Sequence, residues 1–300
     1  MGSLNMNMNM NMNMNMNMAA PGSSVGGAAP RVRFNTQDYR KYLILNLPQP
    51  IIPANTAAMR FPAYWDADLR SYEYLNEFLL AFQDWRTRLT NFVNAPGAPF
   101  DLVPPHLLSQ TALTDQVREM LDRAPDREDR FLEIIDQHDA EGSISYFLGM
   151  LMLDPNRMPA LNLLVRVARR IGEHIAMCLK GEFRCPRPSQ LCTGLVPMID
   201  PPATPAFPSG HSLQARLIAL CLSGATPPQR PLHLLDDLAH RIGENRIIAG
   251  LHYPKDHVVG QGVANWCHAH LLSALPSTSR FKVLVGAAAT ELANQWAPLP

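Results

Sequence analysis

The sequence predicts an all-α protein, a bundle of amphipathic helices with no sheet. Three features point that way. From Asp66 onward, apolar residues recur mostly at helical spacing. Pro, Gly and small polar residues punctuate those stretches where helices start and stop. No stretch joins strand-like alternation to the turn residues of a hairpin. Apolar residues make up 47% of the 300 positions, enough for a sizeable core.

Residues Asn5 to Met18 are seven Asn-Met repeats, followed by Gly, Ser, Ala and Pro as far as Pro30. Unbranched Met alternating with Asn has little strand propensity, so residues 1–30 read as a disordered low-complexity leader. A single helical domain is expected over 31–300, opening with an extended arm around Pro48 to Pro62. Asp66 to Val93 spaces Leu69, Tyr72, Leu75, Leu79, Phe82, Trp85 and Leu89 as one helix. Shorter helices are expected over Pro104 to Arg123 and Arg127 to Asp136. Ser143 is a candidate cap for the next helix, which stops at Asp154-Pro155. Pro159 to Lys180 is amphipathic, with Leu161, Leu164, Val165, Ala168, Ile171, Ile175 and Cys178 on its inner face. Arg166, Arg169 and Arg170 read as its solvated face. A Pro-rich loop follows from Gly181 to Pro208. Further helices are expected from Ser209 to Ser223, from Arg230 to Leu251, from Pro254 at a first helical position, and from Phe281 to Gln295.

Basic and acidic residues cancel, 26 against 26. No bulk field draws a nucleic-acid backbone or an acidic membrane, so nucleic-acid binding is not expected. An anion site must be a local cluster. Only Lys41, Lys180, Lys255 and Lys282 are lysines, which makes a well-placed lysine informative. The five cysteines lack C-x-x-C spacing and suggest free thiols in a reducing compartment. No apolar run reaches the roughly 20 residues of a spanning helix. The N-terminus lacks a signal peptide's charged and apolar regions. The expectation is a cytoplasmic protein with no membrane span; the oligomeric state has no signature in the sequence.

Three segments carry chemistry. The first is Lys180, six residues, then Arg187-Pro188; the second is Pro208-Ser209-Gly210-His211; the third is Arg246, five residues, His252, three residues, Asp256. Forked guanidinium groups at Arg187 and Arg246 and the compact charge of Lys180 suit the oxygens of a tetrahedral oxyanion, phosphate or vanadate. Ser209 adds a hydroxyl, and Gly210 allows close backbone approach at a helix N-terminus, where anions are favoured. Asp256 can fix the tautomer of His252, leaving the other ring nitrogen for phosphorus or vanadium. His211 can protonate a leaving group. Two histidines with opposite protonation needs predict a bell-shaped pH profile.

These segments, in this order, resemble the superfamily of type 2 phosphatidic acid phosphatases, bacterial non-specific acid phosphatases and vanadium-dependent haloperoxidases. The family pattern is K-x6-R-P, P-S-G-H and S-R-x5-H-x3-D. Every catalytic position matches; Asn245 stands where the family usually has Ser. The resemblance is strong over residues 180–260 and implies a helical bundle of the acid phosphatase/vanadium haloperoxidase type. It further implies that His252 is the nucleophile or the vanadium ligand and His211 the general acid. Lys180, Arg187, Ser209, Gly210 and Arg246 would hold the oxygens, Asp256 would support His252, and no divalent metal would be needed.

The motifs do not separate the branches. A phosphatase would cleave a small phosphate ester or diphosphate and needs no cofactor. A haloperoxidase would keep vanadate and consume peroxide and halide. Pro205-Ala206-Phe207-Pro208 looks like the haloperoxidase branch, but Thr204 stands where that branch often has an aromatic or His, and the chain is short for it. The expectation is a phosphomonoesterase, with the haloperoxidase as alternative and a silent anion-binding scaffold third. A Ser209/His252/Asp256 hydrolase triad is set aside, because no G-x-S-x-G elbow or strand carries it. His106, His138, His174, His233 and His240 read as structural or surface residues.

Overall fold

A computed structural model describes residues 66–226 and 233–295. The Asn-Met leader, the Pro48 to Pro62 arm and the boundary expected at residue 31 lie outside the described residues. Among the described residues every regular element is helical. The α-helices are α1 (Ala67–Ala81), α2 (Trp85–Val93), α3 (Gln110–Asp122), α4 (Phe131–Asp136), α5 (Ala140–Met150), α6 (Pro159–Phe183), α7 (Pro188–Leu191), α8 (Gly210–Ala225), α9 (His233–Ile248), α10 (Pro254–His270) and α11 (Arg280–Gln295). None of the described helices is long and apolar enough to cross a membrane.

The centre is α6, whose 25 residues span roughly 37 Å. Leu161, Leu164, Val165, Ala168, Ile171 and Ile175 are buried along it, the face expected from the spacing. α8 packs on α6 and also touches α9 and α10, while α1 and α11 flank α6. α8 contributes Leu213, Leu217, Ile218 and Leu222 to this core. Each such side chain stabilises the fold by about 2 kcal/mol relative to exposure. All five cysteines are free.

Several expectations need correction. The helix over Asp66 to Val93 breaks between Ala81 and Trp85. The break lets Phe82 and Trp85 both face the core. The next two expected helices are each preceded by a separate 3-10 turn, at Pro105–Leu107 and Ala124–Arg127, and the α-helices start only at Gln110 and Phe131. Ser109 caps α3, accepting from the Ala112 N–H at 3.3 Å. Asp139, not Ser143, caps α5: its carboxylate accepts from the Gly142 N–H at 2.7 Å, and Ser143 is buried inside the first turn. α5 stops at Met150, short of Asp154. The expected loop from Gly181 to Pro208 contains the last residues of α6 and the short α7. α9 is described only from His233 and stops at Ile248, followed by Gly250 at φ +80°.

The arginines of α6 are the largest correction. Arg169 and Arg170 are buried rather than solvated. Asp68 of α1 accepts from Arg169 Nη2 at 3.0 Å and from Arg170 Nη2 at 2.5 Å. Arg170 Nε donates to Ser71 Oγ at 3.2 Å, and its guanidinium lies 4.1 Å from the Tyr72 ring centroid. The helical period gave the stripe correctly, but α1 covers it. Without Asp68 the two buried guanidinium groups share the carboxylate of Glu173, at 3.4 and 2.9 Å, and one charge is left uncompensated. Asp68→Ala should therefore lower the unfolding free energy by about 3 kcal/mol, read by urea denaturation.

Candidate active site

Four helix ends converge. Lys180 sits in the last turn of α6, which ends at Arg184 in the left-handed region, φ 46°. Arg187 follows in the loop. Ser209 caps α8, and Gly210 and His211 open it. Arg246 lies in the last turn of α9, and Gly250 turns the chain so that His252 precedes α10. Pro254 takes the first position of α10, as expected, and Asp256 lies in its first turn. The Ser209 N–H donates to the Asp256 carbonyl at 3.0 Å, tying the starts of α8 and α10 together. Two helix N-termini thus aim their amide dipoles into one region, which favours negative charge.

The side chains interlock. Asp256 Oδ2 accepts from His252 Nδ1 at 3.1 Å and from the Tyr253 N–H at 3.0 Å. With its proton on Nδ1, His252 presents the Nε2 lone pair. Arg187 Nη1 lies 3.0 Å from that nitrogen and also donates to the Leu251 carbonyl at 2.9 Å. Arg187 Nε and Nη2 bind the carbonyl and hydroxyl of Thr204 at 2.9 and 3.1 Å. Lys180 Nζ donates to the Ala206 carbonyl at 3.0 Å and to that of Pro205. A Cβ at Gly210 would lie 3.9 Å from Lys180 Cε. Arg246 Nη2 donates to the Ile134 carbonyl at 3.0 Å, and His211 Nε2 lies 3.1 Å from the Gln137 carbonyl.

No family model matches the chain, and no curated protein matches it.

The charge balance of the cluster is unusual. Lys180, Arg187 and Arg246 are buried, and the buried carboxylate of Asp256 acts on Lys180 and Arg187. Burial, then Arg187, pushes Lys180 well below the usual lysine range. Burial lowers Arg187 and Arg246 to about 10 each, and it raises Asp256. Burial and then Arg246 hold His211 down at about 3, and burial with Arg187 keeps His252 well below its ordinary value. Both imidazoles are therefore neutral. Arg246 Nε and Nη1, Gln137 Nε2, Asp256 Oδ1 and the Tyr253 hydroxyl are buried without a hydrogen-bond partner. An unpaired buried donor costs about 1–3 kcal/mol, more when charged. The chemistry this cluster offers is unpaired guanidinium N–H donors and an imidazole lone pair at His252 Nε2. Among the described residues no group of His, Cys, Asp and Glu has metal-ligand geometry.

Sequence reasoning missed the wall over this cluster. The chain from Arg123 to Gln137 lies against α9 at several points. Arg123 Nη1 pairs with Glu244 at 2.8 Å, Arg127 Nε donates to the Ile248 carbonyl at 2.9 Å, and Arg241 Nε binds Glu133 at 2.7 Å. Asn245 is the hub: its Nδ2 donates to Gln137 Oε1 at 2.9 Å and to Glu133 Oε2 at 3.1 Å, and its Oδ1 accepts from Arg130 Nη1 at 3.2 Å. The departure at 245 was the visible signal; its partners, more than 100 positions away in sequence, had none. Ser212 and His257 also belong to the surroundings, each adjoining a motif without being part of it.

Buried neutral histidines tie stability to pH. His211 and His257 stay neutral down to about 3 and about 4, against 6.5 for an exposed histidine, and His252 behaves likewise. Their folded values are depressed, so their contribution is present above the unfolded value and is lost as pH falls. Asp256, raised by burial, opposes this by one proton. Unfolding should then take up about two net protons near pH 5, a loss of roughly 2.7 kcal/mol per pH unit. Urea unfolding between about pH 7 and pH 5 measures it; equal stability at the two ends would contradict the burial of these rings.

Proposed function

We propose that this chain is a phosphatase for small phosphate esters or diphosphates, working through a phosphohistidine at His252 without a divalent metal. One observation carries the reading. Arg246 is fully buried, uses Nη2 on a backbone carbonyl, leaves Nε and Nη1 unpaired, and acts with its charge on His211 and His252. A tetrahedral dianion supplies the acceptors and the charge that this arrangement calls for.

The chemistry follows from the same contacts. The phosphoryl oxygens would take N–H groups of Arg187 and Arg246, the Lys180 ammonium, the Ser209 hydroxyl and the Gly210 amide. Drawing Arg187 onto the anion would release His252 Nε2, which Arg187 now touches. Its lone pair then forms the N–P bond as the P–O bond to the leaving group breaks. A bound dianion opposes the burial and the Arg246 charge that keep His211 neutral, so His211 takes up a proton and delivers it to the leaving oxygen. Water then attacks phosphorus, the N–P bond breaks, and His211 takes back a proton. Asp256 holds the charge that develops on His252 throughout.

Near-complete burial of the donors also favours a resident anion, which supports a second reading as a vanadium-dependent haloperoxidase. The residues fit vanadate: the same five oxygen-holding groups would bind it, and His252 Nε2 would ligate it. Bound there, vanadate would supply the activation of peroxide.

The deciding assay is hydrolysis of p-nitrophenyl phosphate, set beside bromide oxidation with vanadate and peroxide. Hydrolysis blocked by vanadate and abolished in His252→Ala is the expected result. Halogenation that requires vanadate, without hydrolysis, replaces it with the second reading. Neither activity in folded protein leaves the anion-binding scaffold. Arg187→Ala should cost about 3 kcal/mol of transition-state stabilisation, over a hundredfold in kcat/KM. A loss below about threefold would remove Arg187 from the site.

A further inference from the structure

A hydrogen-bonded chain leaves the candidate site through residues of α8, α10 and α9. Ser209 Oγ, the hydroxyl assigned to the anion, lies 2.9 Å from Ser212 Oγ and accepts from the Ser212 N–H at 3.4 Å. Ser212 Oγ lies 2.9 Å from His257 Nδ1. His257 Nε2 lies 3.1 Å from His240 Nδ1, which Gln261 Nε2 also approaches at 3.3 Å. His240 Nε2 lies 3.4 Å from Glu244 Oε1. Ser209 and Ser212 are fully buried, His257 nearly so, and the His240 side chain is 54% exposed. The chain therefore runs from the interior to solvent.

Backbone choice leaves room for it. A Cβ on Gly243 of α9 would fall 2.2 Å from His257 Nδ1 and 2.7 Å from Ser212 Oγ. A Cβ on Gly260 of α10 would fall 2.7 Å from the Ser209 carbonyl and 3.1 Å from Ser212 Cβ. Both glycines are helical, where glycine costs about 1 kcal/mol relative to alanine. That cost is offset only if the contacts they admit are needed.

We propose that Ser212, His257 and His240 are positioning residues that set the direction of the Ser209 hydroxyl, with the charge of His240 choosing it. This rests on the oxyanion reading of the site. When His240 carries two protons, Nε2–H donates to Glu244 and Nδ1–H donates to His257 Nε2. His257 must then hold its proton on Nδ1 and donate to Ser212. Ser212 donates to Ser209, and the Ser209 proton is left for the anion. When His240 loses its Nδ1 proton to solvent, that nitrogen becomes an acceptor for His257 Nε2–H. His257 Nδ1 then accepts from Ser212, Ser212 accepts from Ser209, and the Ser209 proton turns away from the site. His257 and each serine hold one proton in both states; only the histidine tautomer and the directions change.

The surroundings suit this role. Burial, then His240, holds His257 at about 4, so it passes direction without taking charge. His240 faces Glu244 on its own helix and His257 and Gln261 on α10. Arg123, after α3, binds Glu244, and one turn before His240 on α9, Asp236 pairs with Arg216 of α8.

The test uses the full chain with 15N-labelled histidine. Long-range proton–nitrogen NMR reads the His257 tautomer, and calorimetry reads the affinity for inorganic sulfate, whose charge is constant in this range. Raising the pH should move the His257 proton from Nδ1 to Nε2 and weaken sulfate about tenfold beyond the change seen in Ser212→Ala, the value of one hydrogen bond to a charged group. His240→Gln, at an exposed position, should abolish both changes. Ser212→Ala should keep the tautomer switch and lose the affinity step. A His257 tautomer that stays fixed while sulfate binds overturns the relay and leaves the oxyanion site standing. A tautomer that switches with no sulfate or phosphate binding at any pH overturns the oxyanion reading, and the role for Ser209 with it.

Discussion

Three buried cations face one buried carboxylate, and much of the structure is arranged around that imbalance. Taking a charge out of water costs several kcal/mol unless it is paired or well hydrogen-bonded. Here the pairing is mostly with backbone carbonyls, of Thr204, Pro205, Ala206, Leu251 and Ile134. Those carbonyls come from loops and helix ends, which is why four helix ends must converge. A helix interior has no carbonyl to spare. The Pro-rich stretch before Ser209 has the same logic: extended, Pro-broken chain presents unbonded carbonyls that a regular element would consume.

Stability is supplied elsewhere. α6 and α8 are apolar along their contact, and the buried Asp68–Arg169–Arg170 network fastens α1 to the same helix. The two charge clusters on α6 differ in kind. In its N-terminal half Arg169 and Arg170 meet the carboxylates of Asp68 and Glu173 and are neutralised. At its last turn Lys180 meets only carbonyls. One helix thus carries a closed electrostatic system at one level and an open one at the other, roughly 15 Å apart along its axis between Arg170 and Lys180.

The sequence made the helical class and the eight clustered residues legible for different physical reasons. Helices follow from period, and the buried face of α6 was readable because burial and period coincide. The cluster was readable because oxyanion chemistry restricts residue types, and spacing restricts them further. Arg169 and Arg170 were misread because a polar stripe says nothing about what covers it. The wall of Arg130, Glu133 and Gln137 around Asn245 was not readable at all. Its contacts are ordinary polar residues brought together by the turn between α3 and α4. His240 was read as a structural or surface residue and is exposed, but its contact with His257 depends on how α9 and α10 pack. Pairwise packing of helices leaves no local trace in either sequence.

The use of carbonyls rather than carboxylates to hold the cations has a consequence for binding. A guanidinium held by a carboxylate would have to give up an ion pair before gripping a substrate, and breaking a buried pair costs about 3–5 kcal/mol. A guanidinium held by a neutral carbonyl exchanges one hydrogen bond for a stronger, charge-assisted one. The carboxylate that is present, Asp256, is hydrogen-bonded to His252 Nδ1 and the Tyr253 amide, so it reaches Lys180 and Arg187 through its field and not through a hydrogen bond. An Asp or Glu in place of Thr204 would stabilise Arg187 and at the same time compete with any incoming anion. The arrangement therefore keeps its positive charge only weakly satisfied, and the core built on α6 and α8 offsets that cost.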